Sequence, residues 1–537
     1  MYTTARSRLE SIYQHCDEKP LRGRMVGVEK ECLRVAENGK LSLLEHPVAL
    51  GAALTHPSIT TDFSEALLEI VTPPFTDMAD TLECLTRNQG IVYANLPKGE
   101  YLWATSMPCG LALDSDIPIG RYGKSNIGRM KNVYRRGLGL RYGRKMQTIA
   151  GVHYNYSYPD SFWSLMAKID KEPDVSQEYI SRQYFALVRN ILRFGWLIPY
   201  LFGASPAVCG SFFGSSCPPE RMKKLATNTF YEPFATSLRM GDIGYQNNRE
   251  ESGRVDADYN SLDGYVAFLQ RAITSPSSRY EDLGLLDADG EYQQLNTNIL
   301  QIENEYYSSI RPKQITEPME MPSIALAKRG VQYIELRSLD VNAYDPLGIN
   351  DEQLRFVESF MLFCMLCESP PITAEEQKEI TTNLLAVAHR GRDPDLHLSR
   401  RGEQVPLRQW GAEILDVVGE MCDLLDTEGK PKLYCNSLTR QMAKLHDPDK
   451  TPSGQMLNEL RDNDEDFFDF GLRKSLQHQD WFANNPVSEE WQQKFAATAA
   501  ESLDRQRQME QDDSQPFDEF LQQYFSQLDT AGTGSAS

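Results

Sequence analysis

Four short stretches of the chain each carry two ionisable side chains two residues apart, or nearly so, among apolar neighbours. They are Val26-Gly27-Val28-Glu29-Lys30-Glu31, Asp62-Phe63-Ser64-Glu65-Ala66-Leu67-Leu68-Glu69, Ile302-Glu303-Asn304-Glu305 and Tyr333-Ile334-Glu335-Leu336-Arg337. An extended chain sends residues i and i+2 to the same face. Glu29 is therefore expected to project beside Glu31, Glu303 beside Glu305, and Glu335 beside Arg337. Asp62, Glu65 and Glu69 share a face by helical spacing, and Glu65 and Glu69 also do so on a strand. Gly151-Val152-His153-Tyr154-Asn155-Tyr156-Ser157 alternates as a strand does. Strands are predicted at 25–35, 296–305 and 331–341, with Asn38-Gly39 as the turn that closes the first. Helical spacing governs 5–15, 82–94 and 181–202. Beyond Pro346 it governs 350–368, 374–390, 407–426, 436–446, 488–511 and 516–528. The expected fold is α+β, a mainly antiparallel sheet followed by a helical last third. Residues 1–345 are expected to form a sheet-and-helix core that carries the chemistry. Residues 346–528 are expected to form a helical region packed on it, and 529–537 a disordered tail.

Several acidic strands in one sheet crowd carboxylates that repel one another. Hard divalent cations neutralise such a face through oxygen ligands, and a Mg²⁺ site combines a few protein carboxylates with phosphate oxygens. The net charge of −21, from 55 basic and 76 acidic residues, argues against a nucleic-acid partner. It leaves a nucleotide substrate open. No apolar window is long enough for a transmembrane helix. Met1-Tyr2-Thr3-Thr4-Ala5-Arg6 lacks the apolar stretch of a signal peptide. A cytoplasmic location, with the ten cysteines as thiols, is the expectation. Cys364-Met365-Leu366-Cys367 follows the apolar run Phe360-Met361-Leu362-Phe363 and reads as buried helix rather than a zinc site. No Walker loop, no Gly-x-Gly-x-x-Gly and no Gly-x-Ser-x-Gly elbow occurs, which disfavours P-loop, Rossmann and α/β-hydrolase chemistry.

The strand bearing Glu29 and Glu31 is flanked by Met25, Val28, Cys32, Leu33 and Val35, so it is expected to be covered, and a covered glutamate needs a partner. Taken singly, each acid fits an ion-pair network; taken together they point to a metal site. His153 is either a core histidine or a nitrogen ligand that Mg²⁺ or Mn²⁺ tolerates in an oxygen-rich site. Glu335 and Arg337 form either a plain salt bridge or a divided pair, the carboxylate holding a cation and the guanidinium gripping a carboxylate or phosphate. Residues 121–145 are locally basic, with Arg121, Lys124, Arg129, Lys131, Arg135, Arg136, Arg141, Arg144 and Lys145. They either balance nearby acids or meet an anion. Arg239, close to Tyr231 and Tyr245, suits an α-carboxylate pocket or surface stacking. Residue chemistry alone reaches a metal-dependent enzyme that handles anionic small molecules.

Seven runs resemble the proteobacterial class of glutamate–cysteine ligase, in order, from about residue 20 to about 350. They are Gly27-Val28-Glu29-Lys30-Glu31-Cys32-Leu33-Arg34-Val35, Ile59-Thr60-Thr61-Asp62-Phe63-Ser64-Glu65-Ala66-Leu67-Leu68-Glu69, Ser106-Met107-Pro108-Cys109, Met146-Gln147-Thr148-Ile149-Ala150-Gly151-Val152-His153-Tyr154-Asn155, Phe194-Gly195-Trp196-Leu197-Ile198-Pro199-Tyr200-Leu201-Phe202-Gly203-Ala204-Ser205-Pro206, Leu300-Gln301-Ile302-Glu303-Asn304-Glu305 and Tyr333-Ile334-Glu335-Leu336-Arg337-Ser338-Leu339-Asp340. The resemblance implies a glutamine synthetase-like curved sheet with an acidic concave active-site face. It implies that ATP phosphorylates the γ-carboxylate of L-glutamate and that the amine of L-cysteine displaces phosphate. Implied metal ligands are Glu29, Glu31, Asp62, Glu69, His153 and Glu335, for Mg²⁺ or Mn²⁺. Arg337 is implied to stabilise the transferring phosphoryl group, next to Glu335. Tyr134, Leu138, Arg239, Tyr245 and Tyr307 are implied to line the cysteine pocket. The family usually places a leucine before that last tyrosine, where this chain has Tyr306. Feedback inhibition by glutathione is a further implication. The competing expectations are a related carboxylate–amine ligase with another amine acceptor, and a non-catalytic metal-binding scaffold.

Overall fold

The computed structural model describes residues 1–15, 20–111, 113–244, 257–427 and 429–528. In chain order the strands are β1 (Met25–Val35), β2 (Ile59–Thr61), β3 (Leu67–Val71), β4 (Tyr101–Leu102), β5 (Gly151–Ser157), β6 (Ala207–Cys209), β7 (Lys223–Ala226), β8 (Thr229–Tyr231), β9 (Ile310–Lys313), β10 (Tyr333–Asp340), β11 (His397–Arg400) and β12 (Glu403–Pro406). The main sheet is antiparallel, in the order β2-β3-β1-β5-β10-β9, with β4 also paired to β1. Pro312 lies in β9, at the sheet edge, where a missing N–H breaks no ladder.

Opposed residues of an antiparallel pair share a face. Val28, Tyr154 and Leu336 stand in one row across β1, β5 and β10, and Val26, Tyr156 and Ile334 in the next. All six are buried. The helix Asp351–Leu366 packs behind this apolar face and is buried almost all round, as a helix at the centre of a core must be. The Asn350 side chain caps it by accepting from Gln353 N. Cys364 and Cys367 are buried there as free thiols, in the core role expected of them. Asn190 on the helix Gln177–Phe194 donates to the Cys364 carbonyl and ties the two helices together.

Three expectations are corrected. Residues 296–305 form no strand. A loop ends in the single 3₁₀ turn Glu303–Glu305, because side-chain bonds replace a ladder: Leu295 N donates to Gln301 Oε1 and Asn296 Nδ2 to the Gln301 carbonyl. Glu303 and Glu305 accordingly point apart. Secondly, Asp62–Glu69 is not one element but the turn and second arm of a hairpin, pinned by Ser64, whose carbonyl accepts from Leu67 N. Glu65 sits in that turn, donating its N–H to the Pro118 carbonyl, and does not share a face with Asp62 and Glu69. Thirdly, Cys109 and Cys209 are not thiols. The Ser106–Gly110 loop and β6 bring their Cα atoms to 5.3 Å, and they are joined as a disulfide.

The remaining helical predictions are matched to within a few residues, as Ala374–Arg390 and Leu407–Leu425 illustrate, except that the helix expected at 181–202 is two, Gln177–Phe194 and Leu197–Phe202. The helices Pro452–Asp462 and Phe467–Asn484 were not expected. Among the described residues no helix is long and apolar enough to cross a membrane. The tail expected at 529–537 lies outside the described residues.

Candidate active site

The register that buries the tyrosines sends the acids to the opposite face. Glu31 stands opposite Glu69 on β3, Glu29 opposite His153 on β5, and Glu335 opposite Asn155 on one side and Arg311 on the other. Period-2 spacing then adds Arg337 and Lys313 to the same face. Asp62 joins from the turn after β2. The helix Asn126–Tyr142 closes the far side with Tyr134, Arg135 and Leu138. The result is a cavity of about 270 Å³. Glu29, Glu31, Asp62, Glu69, His153, Glu335, Arg337, Tyr134, Leu138 and Tyr307 all line it.

His153 is at the centre. Its Nδ1 lies 3.2 Å from Glu29 Oε2 and 3.6 Å from Glu335 Oε1, and its Nε2 lies 3.6 Å from Glu31 Oε1. Asn155 Nδ2 donates to Glu29 Oε1 at 2.7 Å, and Gly151 N donates to Glu31. Arg337 Nη1 donates to Glu335 Oε1 at 2.7 Å and stands 3.3 Å from His153 Nδ1. Lys313 Nζ reaches Glu335 Oε2 at 3.3 Å. One ligand atom each from Glu29, Glu69 and His153 falls within a 4.8 Å sphere of separation.

The charges are unevenly balanced across the cavity. Burial would raise the Glu335 carboxyl, but Lys313, Arg337, His153 and Arg311 hold it well below the usual carboxylate range. Burial also acts on Glu69, and there the charges of Glu29, Asp62 and Glu31 reinforce it, so that carboxyl is pushed well up. Glu31 is raised by burial despite His153. The β10 side of the cavity is thus charge-compensated, whereas on the Glu31–Glu69 side burial and neighbouring carboxylates outweigh the opposing charges of His153, Arg239 and Arg337. Two buried donors, Arg337 Nε and Arg239 Nε, have no acceptor among the described residues.

Arg239 lies behind the cavity lining. Its Nη2 donates to the Arg337 carbonyl at 2.7 Å and its Nη1 is 3.7 Å from Asp340 Oδ1. Asp340 accepts from Ala204 N, Ser205 Oγ and Ser237 Oγ. The guanidinium passes so close to Gly151 that a Cβ there would stand 2.0 Å from Nη2, so only glycine fits. Tyr307 OH donates to Met240 Sδ, next to Arg239, whereas the Tyr306 hydroxyl accepts from Ala257 N on the far side. Tyr307 is the ring that faces the cavity. Tyr245 lies outside the described residues.

Glu303 and Glu305 do not act together. Glu305 lines the cavity edge, but Arg141 Nη1 and Tyr142 OH hold it, each at 2.9 Å. Glu303 accepts from Ser323 N, at the start of the helix Pro322–Arg329. Four of the nine basic residues at 121–145 balance acids, in the pairs Arg121–Glu45, Arg129–Glu291, Arg136–Asp287 and Arg141–Glu305. Arg135 is the basic member of that run that lines the cavity. Arg311 and Lys313 escaped sequence reasoning. Their spacing, Arg311-Pro312-Lys313, repeats the i, i+2 signature used for Glu335 and Arg337, but over only four residues.

A family profile described as Glutamate-cysteine ligase matches residues 9–387. A glutamate–cysteine ligase of Alcanivorax borkumensis is 46% identical over 503 residues, 93% of this chain and 95% of the relative. One from Azotobacter vinelandii is 46% identical over 530 residues, 98% of each chain. The crystal structure of a glutamate–cysteine ligase from Francisella tularensis in complex with AMP superposes with a TM-score of 0.87 at 34% identity, covering 94% of this chain and 98% of that one. A bifunctional glutathione synthetase from Pasteurella multocida shares the fold, with a TM-score of 0.69 at 22% identity, over 89% of this chain and 55% of that one.

Proposed function

The chain belongs to the glutamate–cysteine ligase family, and on that premise we propose how the acidic sheet face joins L-glutamate to L-cysteine with ATP as co-substrate. The product is γ-glutamylcysteine, in the first step of glutathione biosynthesis. The γ-carboxylate must first take the terminal phosphoryl group of ATP, giving γ-glutamyl phosphate. The cysteine amine then attacks the acyl carbon and phosphate leaves. Phosphoryl transfer of this kind needs positioning and charge neutralisation more than covalent help.

The donor set fits divalent cations. Glu31 and Glu69 face each other across the register, and like charges so placed destabilise a sheet unless neutralised. Mg²⁺, or Mn²⁺, would be held by Glu29, Glu31, Asp62, Glu69, His153 and Glu335. When bound, it would supply positive charge against the phosphate oxygens and the glutamate carboxylate. Arg337 carries a fixed positive charge beside these acids, and its unpartnered Nε is a donor ready for a phosphoryl oxygen. Lys313 compensates Glu335 from the neighbouring strand and so leaves Arg337 available. Arg239, with its own unpartnered Nε, holds an amino-acid carboxylate. Tyr134, Leu138 and Tyr307 line the cysteine side, and the family resemblance assigns Tyr245 to the same substrate. The shared γ-glutamylcysteine moiety makes glutathione a feedback inhibitor at the same pocket.

The sheet is taken to be of the glutamine synthetase-like kind. Residues 1–345 carry the chemistry and 346–528 brace it. Seven free cysteines among the described residues accord with a cytoplasmic location. The observation that carries this assignment is the convergence of the acids and His153 on one face by strand register. Phosphate release should require Mg²⁺, glutamate and cysteine together. Glu29→Ala should abolish it while leaving the fold intact. Equal turnover with another amine in place of cysteine, or metal-independent turnover, would contradict the assignment.

A further inference from the structure

The segment that carries Arg239 has little secondary structure of its own. It runs from the end of β8 through the single 3₁₀ turn Leu238–Met240 to Asp242. The C-terminal end of the helix Ala374–Arg390, in the helical last third, grips it. Thr236 N and Ser237 N both donate to the Ala388 carbonyl, at 2.9 and 3.2 Å, and Thr236 Oγ1 donates to the Val387 carbonyl. Arg392 donates from its backbone to the Phe234 carbonyl and from its guanidinium to the carbonyls of Ala235 and Pro233.

Within this grip the His389 ring sits between two acids of the segment. Its Nδ1 is 2.9 Å from Glu232 Oε2 and its Nε2 is 3.3 Å from Asp242 Oδ1. Arg221 pairs with both acids, through Nε with Glu232 at 2.7 Å and through Nη2 with Asp242. A Cβ at Gly241 would stand 2.7 Å from His389 Cε1 and Nε2, so the ring packs on bare backbone two residues from Arg239. Arg390, next along the helix, is taken up by Asp393.

We infer that His389 is a positioning residue of the reaction, fixing the Glu232–Asp242 segment from the helical region so that Arg239 meets its substrate carboxylate; this rests on the role given to Arg239 above. On that reading it is Arg239 that meets the substrate carboxylate, while His389 lies outside the cavity lining. The ring acts by holding both ends of the segment at once, through one side chain.

Burial opposes protonation of the ring, but the hydrogen bonds and charges of Asp242 and Glu232 outweigh it and push its pKa up to about 9. The sign follows from a pKa raised above the ordinary histidine value. The protonated grip is complete at neutral pH and is lost as pH rises through 9. The neutral ring can still donate from Nδ1 to Glu232, and its Nε2 can accept the Asp242 backbone N–H, 3.2 Å away. Among the described residues the Asp242 carboxylate is then left to Arg221.

The test is steady-state kinetics of full-length His389→Ala and His389→Gln at saturating ATP and Mg²⁺, with Arg239→Lys as reference. Measurements run from pH 6.5 to 10, with melting curves alongside. His389→Ala should raise KM for cysteine or glutamate about three- to tenfold and change kcat less than about twofold. His389→Gln keeps a donor and an acceptor but no charge. Its KM ratio to wild type should exceed one at neutral pH and approach one above about pH 9, where the wild-type ring is also uncharged. A flat ratio across pH overturns the inference, even where His389→Ala fails to fold. So does an unchanged KM in His389→Ala when Arg239→Lys raises it, an outcome that leaves the Arg239 role standing. If Arg239→Lys changes neither KM, that role fails first and the inference falls with it.

Discussion

The two faces of one sheet hold carboxylates in opposite ways. On the helix-covered face, Glu358 is fully buried and its two oxygens accept from Arg24 Nε and Nη2, Tyr156 OH and Tyr434 OH. On the cavity face, Glu29, Glu31, Asp62, Glu69 and Glu335 share His153 and the four cations Arg135, Arg311, Lys313 and Arg337, and burial and mutual repulsion still push Glu31 and Glu69 up. The same strands build both arrangements, since Tyr156 and Asn155 are neighbours in β5. A saturated buried carboxylate is architecture, because every lone pair has its donor. A crowd of undersupplied ones is a binding site, because a folded chain gains nothing from leaving them so.

Substitutions should separate the two faces cleanly. Glu29→Ala should cut kcat by at least about 10³-fold with no loss of melting temperature, as expected where a group works on the transition state rather than the fold. Glu358→Ala should do the reverse. Removing it strands Arg24 and two tyrosine hydroxyls, so unfolding free energy should fall by about 3–5 kcal/mol while activity per folded molecule persists. Urea denaturation with parallel phosphate-release assays measures both. Inactivation of Glu358→Ala at full stability would erase the contrast.

Next in size is Arg337→Lys. A lysine keeps the charge but loses the planar fork that serves Glu335 and leaves Nε spare, and kcat should drop about 10²-fold with little change in melting. Glu69→Gln relieves repulsion from Glu29, Asp62 and Glu31, and the metal-free protein should gain about 1 kcal/mol at pH 7 while losing activity. A fall in stability would mean that the acidic side is already balanced by the protein itself.

Glu303 is an intermediate case outside the metal cluster. One oxygen accepts from Ser323 N, while Oε1 is buried without a partner among the described residues, and burial raises the carboxyl to about 7. A raised carboxyl favours the neutral form in the native state, so its contribution is present at low pH and is lost as pH climbs through 7. Glu303→Gln should therefore be neutral at pH 4 and stabilise by about 1 kcal/mol at pH 8, read from denaturation at the two pH values. Equal effects at both would show that this carboxyl does not titrate in that range.

The sequence was legible wherever a long strand alternated. β1, β5 and β10 stand where the period-2 runs placed them, and their facing acids follow from parity alone. It misled at Glu303-Asn304-Glu305, which has strand parity but is held by Gln301 and Asn296 side chains in a single turn. It was silent on β9, where four residues containing a proline give too short a signal, and so on Arg311 and Lys313. Nothing local marks His389 or Glu358 either. Their partners lie 157 and 334 positions away, at Glu232 and Arg24, and only the folded chain brings them together.

If the acids of the cavity face form a divalent-cation site for ATP chemistry, the cation and the nucleotide must bind there together. The direct measurement is the melting temperature of the protein with and without Mg²⁺ and a non-hydrolysable ATP analogue, for wild type and for a Glu29→Gln, Glu69→Gln double variant. The account predicts a rise of several degrees in wild type when both are present, about what binding at 100 times Kd confers, and almost none in the variant. An equal rise in both proteins would place the cation elsewhere and contradict it.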